Sequence, residues 1–243
     1  MGIYFLLFPF SFLLLEQQSF TMIIPEPSIH ILGIRIDEPV TTLTDLLVAG
    51  ISLFAFFQLL KRPAENLLHH FLRFFFLGMG LSTALGGLIG HGFLYLFSAP
   101  WQLPGWLAGM IAVSLLEQAS IEQSRKLFRP GVSKLLSWLN IIELVTFMLI
   151  TIITIDFIFV VTHTAFGLLV IVAPLHIYLL NRIRDSGSVY FLIAIGITAI
   201  ATPFFINHWS IHYRFNHFCI CHILIAVSMW FFFRGAVKIT SGS

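Results

Sequence analysis

The segment Asn207–Arg234, NHWSIHYRFNHFCICHILIAVSMWFFFR, decides how this chain is read. Its second half is apolar enough for a membrane helix. Four of the ten histidines, His208, His212, His217 and His222, fall within fifteen residues. An ionisable side chain inside hydrocarbon is costly, so His217 and His222 mark a functional helix to which the others are expected to bring partners. Cys219 and Cys221 point roughly 200° apart on a helix, which argues against a disulfide within it.

The rest of the chain fits the same solvent. Of its 243 residues 58 % are hydrophobic and 10 % charged, with a net charge of +2 and a mean hydropathy of +0.95. Soluble domains carry about 25 % charged residues, so an all-α, polytopic membrane protein is expected. No nucleic-acid signature is present, and a membrane lipid and a second copy of the chain are the partners left open. Hydropathy and loop punctuation place seven spans at about Val40–Leu60, Phe71–Phe97, Trp101–Gln118, Leu135–Ile153, Phe157–Leu180, Val189–Ile206 and Phe215–Phe233. Residues 1–39 form a hydrophobic and extramembrane lead-in, 40–238 the seven-helix domain and 239–243 a tail. In the lead-in, Gly2–Leu15 is too short for the roughly 20-residue span and is expected to be interfacial or partly inserted. Ser241-Gly242-Ser243 reads as an expression scar.

The charges orient the bundle. Lys61, Arg62, Arg73, Arg125, Lys126, Arg129, Lys134, Arg182, Arg184, Arg234 and Lys238 fall on alternate connections, which form one side. Only Arg35 and Arg214 fall on the other, so the positive-inside rule predicts N-out, C-in.

Topology then converts residue numbers to depth. Asp45, His91, His163 and His222 each lie about 7–11 Å below the outer boundary at about 1.5 Å per residue, with His217 above His222. Glu117, Asn140, Glu143 and His176 fall in the inner half, Asn140 and Glu143 reading as an interhelical hydrogen-bond pair. His208 and His212 are expected in the outer loop, and His69 and His70 at an interface. Asp45 follows Thr41 by one turn, which suits either a helix-start carboxylate or a buried pair. In LSTALGGLIGHG, Ser82, Gly86 and Gly90 form a stripe for close packing, while His91 shares the neighbouring face with Thr83 and Gly87. Three imidazoles with an open position suit a catalytic zinc, which makes His91, His217 and His222 candidate metal ligands and zinc the expected cofactor. Asp45 is the candidate catalytic carboxylate. His163, Ser82 and Asn216 are candidates for contacting the substrate or steadying the ligands. His217 and His222 stand about 140° apart on a helix and need an irregular turn to share an ion. Helix 7 carries no lysine within the hydrocarbon, which excludes a retinal Schiff base.

Helix 2, with a histidine after a small-residue run, and helix 7, FNHFCICHILIAVSMWFFF (Phe215–Phe233), together resemble the CREST superfamily. That group contains the alkaline ceramidases and the adiponectin-receptor-like proteins, seven-helix membrane proteins that are mostly zinc-dependent amide hydrolases. The resemblance implies that His91 matches the helix 2 ligand and that His217 and His222 stand where the helix 7 pair stands. The family's serine four residues before the helix 2 histidine is Gly87 here, its helix 7 spacing is one residue shorter, and its helix 3 aspartate has no counterpart. The stretch EPVTTLTDLLVAG (Glu38–Gly50) is similar to the start of a bacterial seven-helix family of unknown function, taken as a remote CREST relative. Together these imply a metal-dependent hydrolase of a lipid amide or ester in a bacterial inner membrane. A receptor, or a carrier of small solutes or protons, would use the same His/Asp layer without chemistry.

Overall fold

The structure, a computed structural model, describes residues 27–241. The expectations for Gly2–Leu15 and for Gly242 and Ser243 lie outside the described residues. An antiparallel hairpin comes first, β1 (Ser28–Ile31) paired with β2 (Ile34–Asp37) so that Ile31 faces Ile34 across the turn. Its two loop residues, Leu32 and Gly33, have φ of 52° and 82°, the twist that two-residue hairpin loops require. The lead-in is thus partly β, an addition to the all-α expectation.

Seven long helices follow among the described residues: α1 (Pro39–Leu60), α2 (Leu67–Gly92), α3 (Leu103–Ser124), α4 (Pro130–Thr154), α5 (Ile158–Ile183), α6 (Ser186–Ile206) and α7 (His217–Ser241). Their starts follow from local chemistry. Proline, whose missing N–H costs nothing in a first turn, opens α1 and α4 and stands second in α3. Asn66, Asp185 and Asn216 accept the backbone N–H of His69, Ser188 and Cys219 to cap α2, α6 and α7. Two helices widen into π turns, α2 over Gly86–Gly92 and α5 over Gly167–Val172. In α5 the wide turn precedes Pro174, whose ring would collide with a regular helix one turn back.

Every helix except α3 is long and apolar enough to cross a membrane. Ile153 is 79 % and Leu43 68 % exposed, a coat of bare apolar side chains that fits lipid and not water. The chain is a multi-pass membrane protein. Helix α3 holds the stretch expected as the third span, Trp101–Gln118, but runs on to Ser124 and carries Glu117, Gln118, Glu122 and Gln123. It packs against α2, α4 and α5, so its polar side chains meet protein rather than lipid.

The apolar core occupies the half of the bundle away from the hairpin, where Leu72, Phe75, Phe76, Phe191 and Phe232 are fully buried. Phe75 and Phe191 meet Phe232 edge-on at 5.7 and 5.3 Å. Helices α6 and α7 approach closely through Gly187 and Gly235. A Cβ on Gly235 would lie 2.5 Å from Phe191 and 3.0 Å from the Gly187 carbonyl. Gly235→Val is therefore expected to destabilise the fold by about 1–3 kcal/mol, read as a lower thermal midpoint in detergent. Gly196→Ala, with nothing within 4 Å of its new carbon, should show no loss.

Candidate functional site

Under the hairpin, α1, α2 and α7 bring Asp45, His91 and His222 together. One carboxylate oxygen and one ring nitrogen from each histidine all lie within 4.8 Å of one another. Asp45 Oδ1 is 3.9 Å from His222 Nε2, and the His91 and His222 rings meet edge-on at 5.7 Å. Phe218 forms an apolar wall beside both, 5.4 Å from His91 and 6.4 Å from His222.

The π turn of α2 makes this approach feasible. A Cβ on Gly86 would sit 2.8 Å from Asp45 Oδ2, and one on Gly87 3.2 Å from Asp45 Cβ. The glycines let α2 close onto the carboxylate, and the wide turn carries His91 round to the same side. Asp37 ties the hairpin above, accepting from Arg35 Nε at 2.7 Å and from the Tyr95 amide at 3.3 Å.

Hydrogen bonds assign the protons. His91 Nδ1–H donates to Glu38 Oε2 at 2.9 Å, leaving Nε2 with a lone pair. The Thr44 hydroxyl donates to the Thr41 carbonyl at 2.9 Å, so at 3.2 Å from His222 Nδ1 it accepts, and His222 Nε2 also carries a lone pair. No hydrogen-bond donor among the described residues reaches Asp45, which is only 5 % exposed. With Asp45 ionised, three electron-pair donors face one another. Ligands of a tetrahedral zinc, at about 2.0 Å from the ion, are about 3.3 Å apart, so a small contraction would let these three hold zinc with a fourth position open.

Glu38 sits just outside α1 with φ of 39°. Burial alone would raise its pKa, but the hydrogen bond and charge of His91, with bonds from Thr41 and Asn216, outweigh that and hold it below the usual 4.5. A carboxyl lowered by folding stabilises the fold above its unfolded value, and that contribution is lost as pH falls through the folded one. Metal-free wild type should accordingly lose thermal stability more steeply than Glu38→Gln as pH drops below 4.5. The same variant should bind zinc about 10–100-fold more weakly, the usual cost of losing a ligand's outer partner.

The other sequence candidates stand elsewhere. His217, at the first turn of α7, is not in the converging group: its Nε2 lies 3.2 Å from His208 Nδ1 at the exposed loop. The five-residue spacing turns it away from His222, and the helix has no irregular turn to bring it back. Asn216 caps α7 and also bonds Thr41 and Glu38, so it steadies the site from behind. Ser82 faces α3, its hydroxyl close against Gly109, in the packing stripe rather than beside Asp45. His163 does not stand beside His91: its Nδ1 lies 2.8 Å from Glu143 and its Nε2–H donates to the Met110 carbonyl at 3.0 Å. Helix α5 packs on α3, α4 and α6 and is not among the neighbours of α1, so depth alone misplaces this residue. His176 is fully buried between Ser188 and Ser120, with Ser188 donating to the helix-capping Asp185, a closed structural network.

Glu38 and Thr44, which set the two tautomers, are missed by sequence reading. Their signal lies in EPVTTLTD, where a carboxylate precedes the opening proline of α1 and Thr44 adjoins Asp45.

No curated protein and no solved structure matches the chain. Over residues 40–241 it matches the model of a family of unknown function (DUF6962), and the protein belongs to that family.

Proposed function

We propose that the protein is a zinc-dependent membrane hydrolase of a neutral lipid amide or ester, of the CREST kind, with seven spans and its hairpin outside a bacterial inner membrane. The observation that carries this reading is the convergence of Asp45, His91 and His222, whose ligand atoms all lie within 4.8 Å of one another. Eleven of the 13 basic residues, as read from the sequence, favour the orientation. Zinc held there supplies Lewis acidity toward a carbonyl and brings the pKa of a bound water to about 7. The chain's own groups do the rest. Glu38 and Thr44 fix which ring nitrogens face the site, Asp45 offsets positive charge in a low dielectric, and Phe218 with the lipid-facing walls receives an acyl chain. Two carboxylates so close to the reacting position disfavour an anionic phosphodiester and suit a neutral carbonyl compound.

The test is hydrolysis of N-acyl lipids and neutral glycerides by purified protein stripped of metal and then reloaded with zinc. Turnover should require zinc and vanish in Asp45→Asn. Hydrolysis that survives stripping would contradict the reading. A receptor or carrier role draws support from how closed the site is, the side chains of Asp45, His91 and His222 being 7, 16 and 13 % exposed. Zinc-loaded protein that cleaves none of these lipids would favour it.

A further inference from the structure

Between α3, α4 and α5 lies a second polar group that the proposed hydrolysis does not use. Glu117 and His163 are fully buried, and the Glu143 side chain is 12 % exposed. One carboxylate oxygen from each acid and one His163 nitrogen lie within 4.8 Å of one another. The carbonyl of Met110 can only accept, so His163 Nε2 carries a proton and Nδ1 is the atom turned to both Glu143 oxygens, at 2.9 and 2.8 Å. A histidine pinned through one N–H to a carbonyl, with its other nitrogen facing carboxylates, has the outer support that metal-binding histidines use.

Glu117 supplies an independent sign of a missing partner. Its Oε2 accepts from Asn140 Nδ2 at 2.7 Å, and Asn140 is held in turn by Ser114 and Gln118. Its Oε1 is buried and has no hydrogen-bond partner among the described residues. That oxygen points at Gly167, where a Cβ would lie 2.3 Å away. Gly167 stands one turn after His163, on the same face, at the start of the π turn of α5. A carboxylate oxygen kept bare inside a membrane bundle, with a glycine clearing room for it, calls for a cation.

We propose that Glu117, Glu143 and His163 form a second, intramembrane metal site that takes a first-row divalent transition ion. Two carboxylates and a neutral imidazole balance a divalent charge, so the filled site is neutral in its low-dielectric surroundings. The imidazole argues against calcium or magnesium and the lack of sulfur against copper(I), leaving the divalent ions from manganese to zinc. On filling, the proton that joins Nδ1 to Glu143 is released to solvent, Nδ1 binds the ion as a neutral imidazole and Glu143 stays beside it as a ligand.

Cobalt(II) titration of the metal-stripped, full-length protein in detergent, followed by its visible bands, tests this independently of hydrolysis. Wild type should bind two equivalents. Glu117→Gln should weaken one by about 100-fold or more, at least the upper end of the effect of losing an outer partner, and His222→Ala should remove the other. A single equivalent in wild type that Glu117→Gln retains overturns the second site and leaves the zinc reading standing. A single equivalent lost in Glu117→Gln and kept in His222→Ala upholds the second site and removes the first. No binding in wild type overturns both. If Glu117→Gln loses both ions through misfolding, His163→Gln decides, with the same expected and contrary results.

Discussion

Asp45→Asn is expected to make the metal-free protein more stable while weakening zinc binding at this site about 100-fold or more. The carboxylate of Asp45 is nearly buried, has no hydrogen-bond donor among the described residues and sees only a histidine nitrogen at 3.9 Å. An unpaired charge in that position costs folding free energy. Asparagine keeps the shape and removes the charge, so the stripped chain should gain about 1–3 kcal/mol, discounted for whatever solvent reaches the site. Zinc loses its only anionic ligand and should bind about 100-fold more weakly or worse, beyond the effect of an outer partner. A buried group that harms the fold and serves a ligand is what a functional site looks like energetically. Thermal unfolding of stripped protein, beside a zinc titration, reads both effects. If the variant is less stable and still binds zinc, Asp45 is a structural residue.

The second large effect is expected at Gly86. Its backbone is ordinary right-handed helix, with φ of −57°, so alanine there meets no backbone strain and in an open helix would add about 1 kcal/mol of stability. Here the added methyl would lie 2.8 Å from Asp45 Oδ2. Either α2 backs away from α1 or Asp45 swings off its place, and the loss should amount to about 1–3 kcal/mol together with most of the zinc affinity. Gly90→Ala is the matched control. Its new carbon would meet only the end of Gln102, at 3.9 Å, so stability should hold or rise and zinc binding should persist. Equal behaviour of the two variants would show that the glycines of the π turn serve the helix and not the site.

These effects separate what was legible in the sequence from what was not. Membrane residence and the helical stretches could be read because hydropathy is summed over some twenty residues and tolerates local errors. Depth could be read as well, since rise per residue is fixed, and that brought Asp45, His91 and His222 to one level. Lateral position could not. His163 was expected at a similar depth, yet α5 packs on α3, α4 and α6, and its partners are Glu143 and the Met110 carbonyl. The π turns were equally hidden: a run of glycines in α2 reads as a packing stripe, and only the folded chain shows Gly86 and Gly87 closing on Asp45. Glu38 was passed over because it stands one residue before the first helix, in a stretch read as lead-in. Its left-handed backbone folds the carboxylate back onto His91. Helix α3 was expected as a span ending at Gln118, whereas the folded helix runs on to Ser124 with α2, α4 and α5 packed against it.

The most direct test is the zinc content of purified wild type beside His91→Ala, His222→Ala and His217→Ala. The first two variants should each hold one zinc per chain fewer than wild type and the third the same number as wild type, because only His91 and His222 converge on Asp45. A zinc content unchanged from wild type in both His91→Ala and His222→Ala, or lowered in His217→Ala, would contradict the site described here.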